Sequence, residues 1–535
     1  KSGAVQTGYG AGSTEEPAAG GAKVAAPNCD YGGEFLSIEA VDNLTVKFTL
    51  CSPDVAFPSK IAFSAFAIHS SDYLEKTGGT GELLTKPIGT GPYKLKEWIQ
   101  GDSIVMTANP DYWGEKAKNK EVVFKWQKEG AARLLELQAG TVDGIDNPSP
   151  DDFAVIEGDS ALKLYPREAL NVFYVGLSNT QKPFDNEKVR QAVAMGIDRQ
   201  RIVDNFYPKG SIVASHFTPC AIPGGCEGEE WYKFDVAAAK ALLKEAGFEN
   251  GFKTTISYRD VVRGYLPQPA LVAQDIQAQL KENLNIDVTI EVMESGAFLD
   301  TAKTGALPMF LLGWGADYPD ATNFLDYHFG ETAPANFGEG FPDIWAALKK
   351  AASLADQAER NKLYAEANNL IKKHVPMVPV AHGGSATAFK ADVKGAHSSP
   401  LSNENFSVMT PGDRTQLVWM QNAEPISLFC PDEEDGESLR ACEQINESLL
   451  AYAIGGTAVQ PSLAEACTPN EDLTVWTCKL RSGVKFHDGS DFDATDVVAS
   501  YALQWDAANP LHKGRTGTFT YFNALFGNFL NAPTQ

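Results

Sequence analysis

The chain has 535 residues, 43% of them hydrophobic and 21% charged, which is ordinary globular composition at a length that calls for two or three domains. A net charge of −24 disfavours nucleic acid and anionic membrane surfaces as partners. No apolar run approaches the length of a membrane span. Residues 1–32 are mostly Gly, Ala, Ser, Thr, Glu and Pro and read as a flexible tether. From Phe35, LSIEAVDNLTVKFTL alternates around Asp42-Asn43 as a hairpin. A Gly/Pro turn at 87–92 leads into further alternating strands through residue 114. ARLLELQAGTVDGID (132–146) reads as a short helix closed by Gly140, then a strand. A strand from Asn171 is followed by helical spacing over 186–206.

A strand–helix–strand pattern comes next. Asp235 caps a helix to Gly247, strands are expected at 254–258 and 287–293, and an amphipathic helix at 269–284. The apolar run Met309–Leu312 then ends in Gly313-Trp314-Gly315, followed by Asp317, Tyr318, Pro319 and Asp320. Two glycines allow close backbone approach to a ligand, the aromatic residues offer flat walls, and Asp317 brings a charge to a strand's carboxyl end. This stretch is the candidate binding loop. Helical spacing over 345–373 fits one long helix or two, and 376–383 reads as a buried strand. After Gln416 come a strand, a helix over 436–452, a strand–turn–strand over 473–489 and a capped helix over 493–505. The final residues give no obvious element.

The eight cysteines fall in local pairs: Cys29 with Cys51, Cys220 with Cys226, Cys430 with Cys442, and Cys467 with Cys478. None forms C-x-x-C, so four local disulfides in an oxidising compartment are expected rather than zinc. His69, His216, His328, His374, His397 and His512 have no ligand spacing, and His382 stands near a candidate hinge. The sequence holds no G-x-S-x-G, H-E-x-x-H or P-loop, so neither an enzyme nor a cofactor or metal has sequence support.

Three blocks carry a family resemblance. They are GPYKLKEWIQGDSIVMTANPDYWG (91–114), VGLSNTQKPFDNEKVRQAVAMGIDR (175–199) and LRSGVKFHDGSDFDATDVVASY (480–501). Together they resemble the family 5 extracellular solute-binding proteins of ABC importers, the peptide- and nickel-binding type. The resemblance covers nearly everything beyond residue 33. Its order differs: the family's opening, AEPISL, stands at 423–428, and its usual end near 407–414 comes directly before. The sequence therefore resembles a circular permutant, with the old ends joined near Arg414 and the chain opened between about Asn531 and Gly33.

The resemblance implies an α/β fold of the periplasmic-binding-protein-like type II, cluster C, with two lobes on a hinge and a small extra domain. Carried over, the core lobe is 86–182 with 384–457, the second lobe 183–383, and the extra domain 33–85 with 458–535. Hinge crossings are expected near 178–182 and 382–385. Asp317 matches the family's Asp for a peptide α-ammonium, and Arg263 is the candidate for the carboxylate, with Arg259 as the alternative. Trp314, Gly315 and Tyr318 would wall the pocket, and Asn422, Glu424 and Ser427 match the ligand-facing segment of the core lobe. His487-Asp488 corresponds to a structural turn.

These expectations describe a monomeric, extracytoplasmic, non-enzymatic binding protein that takes a short peptide between closing lobes and delivers it to an ABC permease. The acidic Ala/Gly tether is similar to the spacer after a lipid-modified Cys in bacterial surface lipoproteins, so a lipid anchor is part of the expectation. An oligosaccharide or metal chelate is the rival ligand, and a secreted hydrolase or surface adhesion protein the rival class.

Overall fold

The computed structural model of the protein describes residues 21–331 and 333–532. The chain divides into two compact units. One holds the described residues up to Tyr165 and from Ala386 on, and the other holds Pro166–Ser385. The chain passes between them at Tyr165–Pro166 and at Ser385–Ala386. The first passage is earlier than the 178–182 read from sequence, because Asn171–Leu177 is an interior strand of the second unit's sheet.

That sheet has six strands in the order Ile212–Val213, Met377–His382, Asn171–Leu177, Met309–Gly315, Lys253–Arg259 and Asp287–Met293. Lys253–Arg259 runs parallel to both Asp287–Met293 and Met309–Gly315. Asn171–Leu177 runs antiparallel to Met309–Gly315 and to Met377–His382. One edge therefore gathers the carboxyl ends of four strands and the start of Asn171–Leu177. The interior strands read as continuous apolar runs because both faces are covered: Val172–Val175 and Met377–His382 are buried throughout. Each such Val, Leu or Phe contributes about 1.5–3 kcal/mol by leaving water. The covering helix Pro269–Leu284 starts with Pro in its first turn and ends at Asn285, whose φ of 53° is the left-handed conformation of a helix stop.

The first unit contains a seven-stranded and a five-stranded sheet. In the seven-stranded sheet, Gln416–Gln421 lies parallel to Glu121–Trp126 and to Gly144–Asp146. Its core packs Trp419 against Phe389 and Phe406. The five-stranded sheet is antiparallel and built from residues assigned by sequence to the extra domain, plus Lys23–Ala25. Phe35 is its hub, touching the rings of Phe48, Phe57, Tyr501, Trp505, Phe522 and Phe526.

Several sequence expectations need correction. The tether expected over 1–32 lies outside the described residues as far as residue 20. From there on it is structured: Lys23–Ala25 pairs with Ser37–Glu39, and Cys29–Tyr31 is a short 3-10 turn. The helix read over 436–452 covers only Gly436–Cys442, and Leu450–Tyr452 is a strand. Between the two, Glu447 accepts from Thr90, Tyr112 and Trp113. The helical spacing read over 186–206 and over 345–373 holds, each stretch forming two helices, the second capped by Asp198 and by Asp356 respectively. The chain's end carries a helix, Thr520–Phe526. All four expected disulfides are present, and Cys467 and Cys478 sit directly opposite each other on paired strands.

Candidate functional site

The strand Met309–Gly315 delivers the loop at the carboxyl edge of the second unit's sheet, where open α/β sheets bind ligands. Gly313 is required there. A Cβ on it would lie 2.3 Å from the Tyr265 ring and 2.5 Å from the Val172 carbonyl oxygen, so the loop 260–268 can fold over the strand only at a glycine. Gly315 is exposed, and a Cβ on it would meet nothing within 4 Å.

Past Gly315 the loop is fastened at both ends. Asp320 caps the helix Ala321–Phe329 by accepting from the Thr322 N–H, and its carboxylate pairs with buried Arg360 at 2.8 Å. Opposing charges in this pair hold the Arg360 guanidinium charged despite burial. Asn323, in the first turn of that helix, is 3% exposed. Its Oδ1 accepts from the Asp317 N–H at 3.0 Å and from the Trp314 indole N–H at 3.2 Å, and its Nδ2 donates to Asp317 Oδ2 at 3.0 Å. One turn on, Tyr327 stacks on Trp314 with centroids 4.2 Å apart, and His328 meets the indole edge-on. Burial holds the His328 imidazole neutral, its pKa drawn down to about 3.

Trp314 and Asp317 are thus half-buried and oriented, while Tyr318 differs from expectation. It is 5% exposed with its hydroxyl against that of Thr322, so it packs inward. Arg259 ends the strand beside Met309–Gly315, half-buried, and donates to the Tyr265 hydroxyl at 3.4 Å. Arg263 stands further out on the same loop, exposed, donating to the Val262 carbonyl. Both arginines and Asp317 therefore belong to one sheet edge, with Arg259 set in the sheet and Arg263 on its rim.

In the first unit, Asn422 follows Gln416–Gln421 at the carboxyl edge of the parallel strands. It is half-buried, and its Oδ1 is buried without a hydrogen-bond partner. Glu424 accepts from the Trp98 indole N–H at 2.9 Å and from the Gly101 N–H at 3.0 Å, which closes the hairpin Tyr93–Ile99/Ser103–Ala108. Ser427 is 1% exposed and donates to Glu433. Glu433 in turn pairs with Arg515, and Asp432 accepts from the backbone N–H groups of Gly517 and Phe519. Glu424 and Ser427 are therefore engaged in structural bonds.

The histidines follow the same logic. His487 accepts the Gly89 N–H at Nδ1 and donates from Nε2 to the Gly91 carbonyl, so it is a neutral clasp on a turn. Burial holds its pKa near 4. His382 is 1% exposed, its Nδ1 2.6 Å from the Asn171 carbonyl oxygen, so it faces no open space. The sequence spacing gave no metal set, yet folding brings His216 within 4.8 Å of Cys220 and Cys226. Both sulfurs are joined to each other, which removes them as ligands.

Asn323 was not singled out from the sequence. Asp320 before the periodic run ATNFLDYHF signals a capped helix, and that signal places Asn323 in a first turn against the loop.

The family model for bacterial extracellular solute-binding proteins, family 5 Middle, matches residues 10–336 and 458–520. The chain belongs to the family 5 extracellular solute-binding proteins. "Heme-binding protein A" of Haemophilus influenzae is 30% identical over 69% of this chain and 69% of its own length. "Dipeptide-binding protein" of Pseudomonas aeruginosa is 32% identical, covering 69% and 70%. Among solved structures, the ABC transporter-associated periplasmic binding protein DppA from Helicobacter pylori, in complex with peptide STSA, superposes with a TM-score of 0.60 at 31% identity, covering 70% of this chain and 74% of that one. Family 5 membership makes the fold the type II α/β binding-protein fold, as the sequence resemblance implied. Family 5 members bind solutes outside the cytoplasm and are not enzymes, which places this chain among extracytoplasmic binding proteins.

Proposed function

We propose that the protein captures a short peptide outside the cytoplasm and delivers it to an ABC permease. The observation that carries this reading is the sheet edge that presents a positioned carboxylate, Asp317, together with arginine side chains from the neighbouring strand and its loop. A zwitterion needs both charges matched when it leaves water. Asp317 takes the α-ammonium, and Arg263 or Arg259 the carboxylate. Trp314 and the bare backbone at Gly315 contribute a flat wall and close approach. The relatives named for dipeptides, and the neighbour holding STSA, support the same ligand class. The protein works as a monomer.

Native mass spectrometry of the purified protein, followed by denaturing release, tests this reading. Release of di- to pentapeptides is expected. Release of a sugar or a metal chelate such as haem, the ligand in the Haemophilus influenzae relative's name, overturns the peptide assignment and leaves the fold.

The chain also reads as a circular permutant. In family order the segment from Gln416 precedes the segment from Gly33. A collinear comparison of a permuted chain covers only part of each partner, as the 69–70% coverage does. A permutant also requires its opened ends to lie close together. The Glu34 N–H donates to the Phe526 carbonyl at 2.7 Å, and Asn528 donates to the Tyr31 carbonyl.

A further inference from the structure

We infer that Asn323 is a positioning residue that sets the charge selectivity of the ligand site, by holding Asp317 and Trp314 through one amide group. The inference rests on Asp317 being the ammonium partner and concerns what prepares it.

The three hydrogen bonds determine which way the amide faces. Its oxygen accepts from two N–H groups, the Asp317 backbone and the Trp314 indole. The reverse orientation would place an NH2 against two donors and an oxygen against a carboxylate. Asn323 Nδ2 therefore faces Asp317 Oδ2 as a donor. At 3% exposure the amide competes with little water, and loss of any one bond would leave a buried polar group unmatched.

The neighbourhood explains why an amide stands here. The residue beneath Asp317 donates one hydrogen bond to its carboxylate and adds no charge of its own. An arginine would form an ion pair, as Arg360 does with Asp320 three residues on. Asn supplies one donor to the carboxylate and one acceptor shared by two N–H groups, and it carries no charge. The helix Ala321–Phe329 fixes it rigidly, because Asp320 caps that helix and Tyr327 stacks against the same indole. The carboxylate and the indole are then set before a ligand arrives, and the ordering cost is not borne on binding.

Two roles are distinguishable. A residue that merely stabilises the loop would weaken all ligands alike. A residue that sets Asp317 would weaken those with a free α-ammonium and leave the rest. The probes are peptide STSA and its N-acetylated form, measured by titration calorimetry on the full chain. Wild-type protein is expected to prefer free STSA by at least tenfold, and Asp317→Ala to abolish that preference. Asn323→Ala is expected to reduce the preference at least fivefold, with affinity for N-acetyl-STSA changed less than threefold. Asn323→Ser, whose hydroxyl can still accept the Asp317 N–H but cannot reach its carboxylate, gives the same reading should the alanine variant not fold. Tyr327→Leu, which removes the stack and keeps the amide, should lower both affinities together.

An equal loss for both peptides in Asn323→Ala, or no loss for either, overturns the inference while Asp317→Ala still supports the peptide reading. Failure of wild-type protein to distinguish or bind the two peptides overturns the reading itself, and this inference with it.

Discussion

At the carboxyl ends of parallel strands the second unit carries Gly313–Asp317 and the first unit carries 421–427, and the two segments commit their polar groups in opposite ways. Asp317 accepts a hydrogen bond from a neutral amide, that of Asn323. Glu424 closes a hairpin through Trp98 and Gly101, and Ser427 is tied to Glu433. Comparable positions in two sheets thus yield one segment whose carboxylate is set by a neighbouring amide and one whose acids and hydroxyls brace the fold. Position at a strand end nominates a residue, and its hydrogen-bond partners decide what it does.

The largest expected effect separates the two acids. Asp317→Ala should cost about 2–5 kcal/mol of affinity for a free-amine peptide, the usual price of removing one partner of a desolvated charge pair. Glu424→Ala should leave that affinity within roughly threefold and lower stability by about 1–2 kcal/mol, since two donors lose their acceptor. Equal affinity losses by calorimetry would erase the contrast.

Acid tests the units in a second way. His328 in the second unit and His487 in the first are held near 3 and 4 by burial. Their folded pKa values lie below the unfolded value near 6.5, so below that pH the unfolded chain binds more protons. Stability is intact above about pH 6.5 and falls as pH drops toward the folded values. Each should remove about 3 kcal/mol by pH 4, read by urea unfolding at pH 7 and pH 4. Replacing His328 by Leu should flatten the dependence by about one proton. An unchanged slope would mean that this imidazole is solvated.

A smaller effect separates the two glycines of the loop. Gly313→Ala should destabilise by about 1–3 kcal/mol, because its methyl group meets Tyr265 and the Val172 carbonyl. Gly315→Ala meets nothing and should stay within about 0.5 kcal/mol. Thermal unfolding of both variants reads the difference directly.

The smallest effect concerns chain order. A reordered chain running 416–535 and then 1–415 should fold with a melting temperature within about 3 °C of the original, because permutation moves only the break. Failure to fold would refute the permutation.

Much of the second unit was legible because its signals are local. Asp235, Pro269 and the alternation of strand and helix mark elements within a few residues of themselves. The carboxyl-edge loop follows from that pattern. Roles set by distant partners were not legible: Glu424 meets Trp98 across 326 positions, and no spacing near residue 424 announces it. Tyr318 looked like a pocket wall by composition, and only packing against the following helix reveals an inward ring. The helix expected to run on through 443–449 ends at Cys442, and Glu447 beyond it meets Thr90, Tyr112 and Trp113, partners that no nearby spacing announces.

The disulfides carry a consequence for biogenesis. Each cysteine is joined to the next one along the chain, with separations of 22, 6, 12 and 11 residues, and no bridge links one unit to the other. Eight cysteines admit roughly a hundred connectivities. Here, a chain emerging end-first into an oxidising space would reach the right one by sealing each new thiol to the last. Such a chain matures in step with its own export, needs little reshuffling by an isomerase, and leaves its two halves unleashed from each other once oxidised.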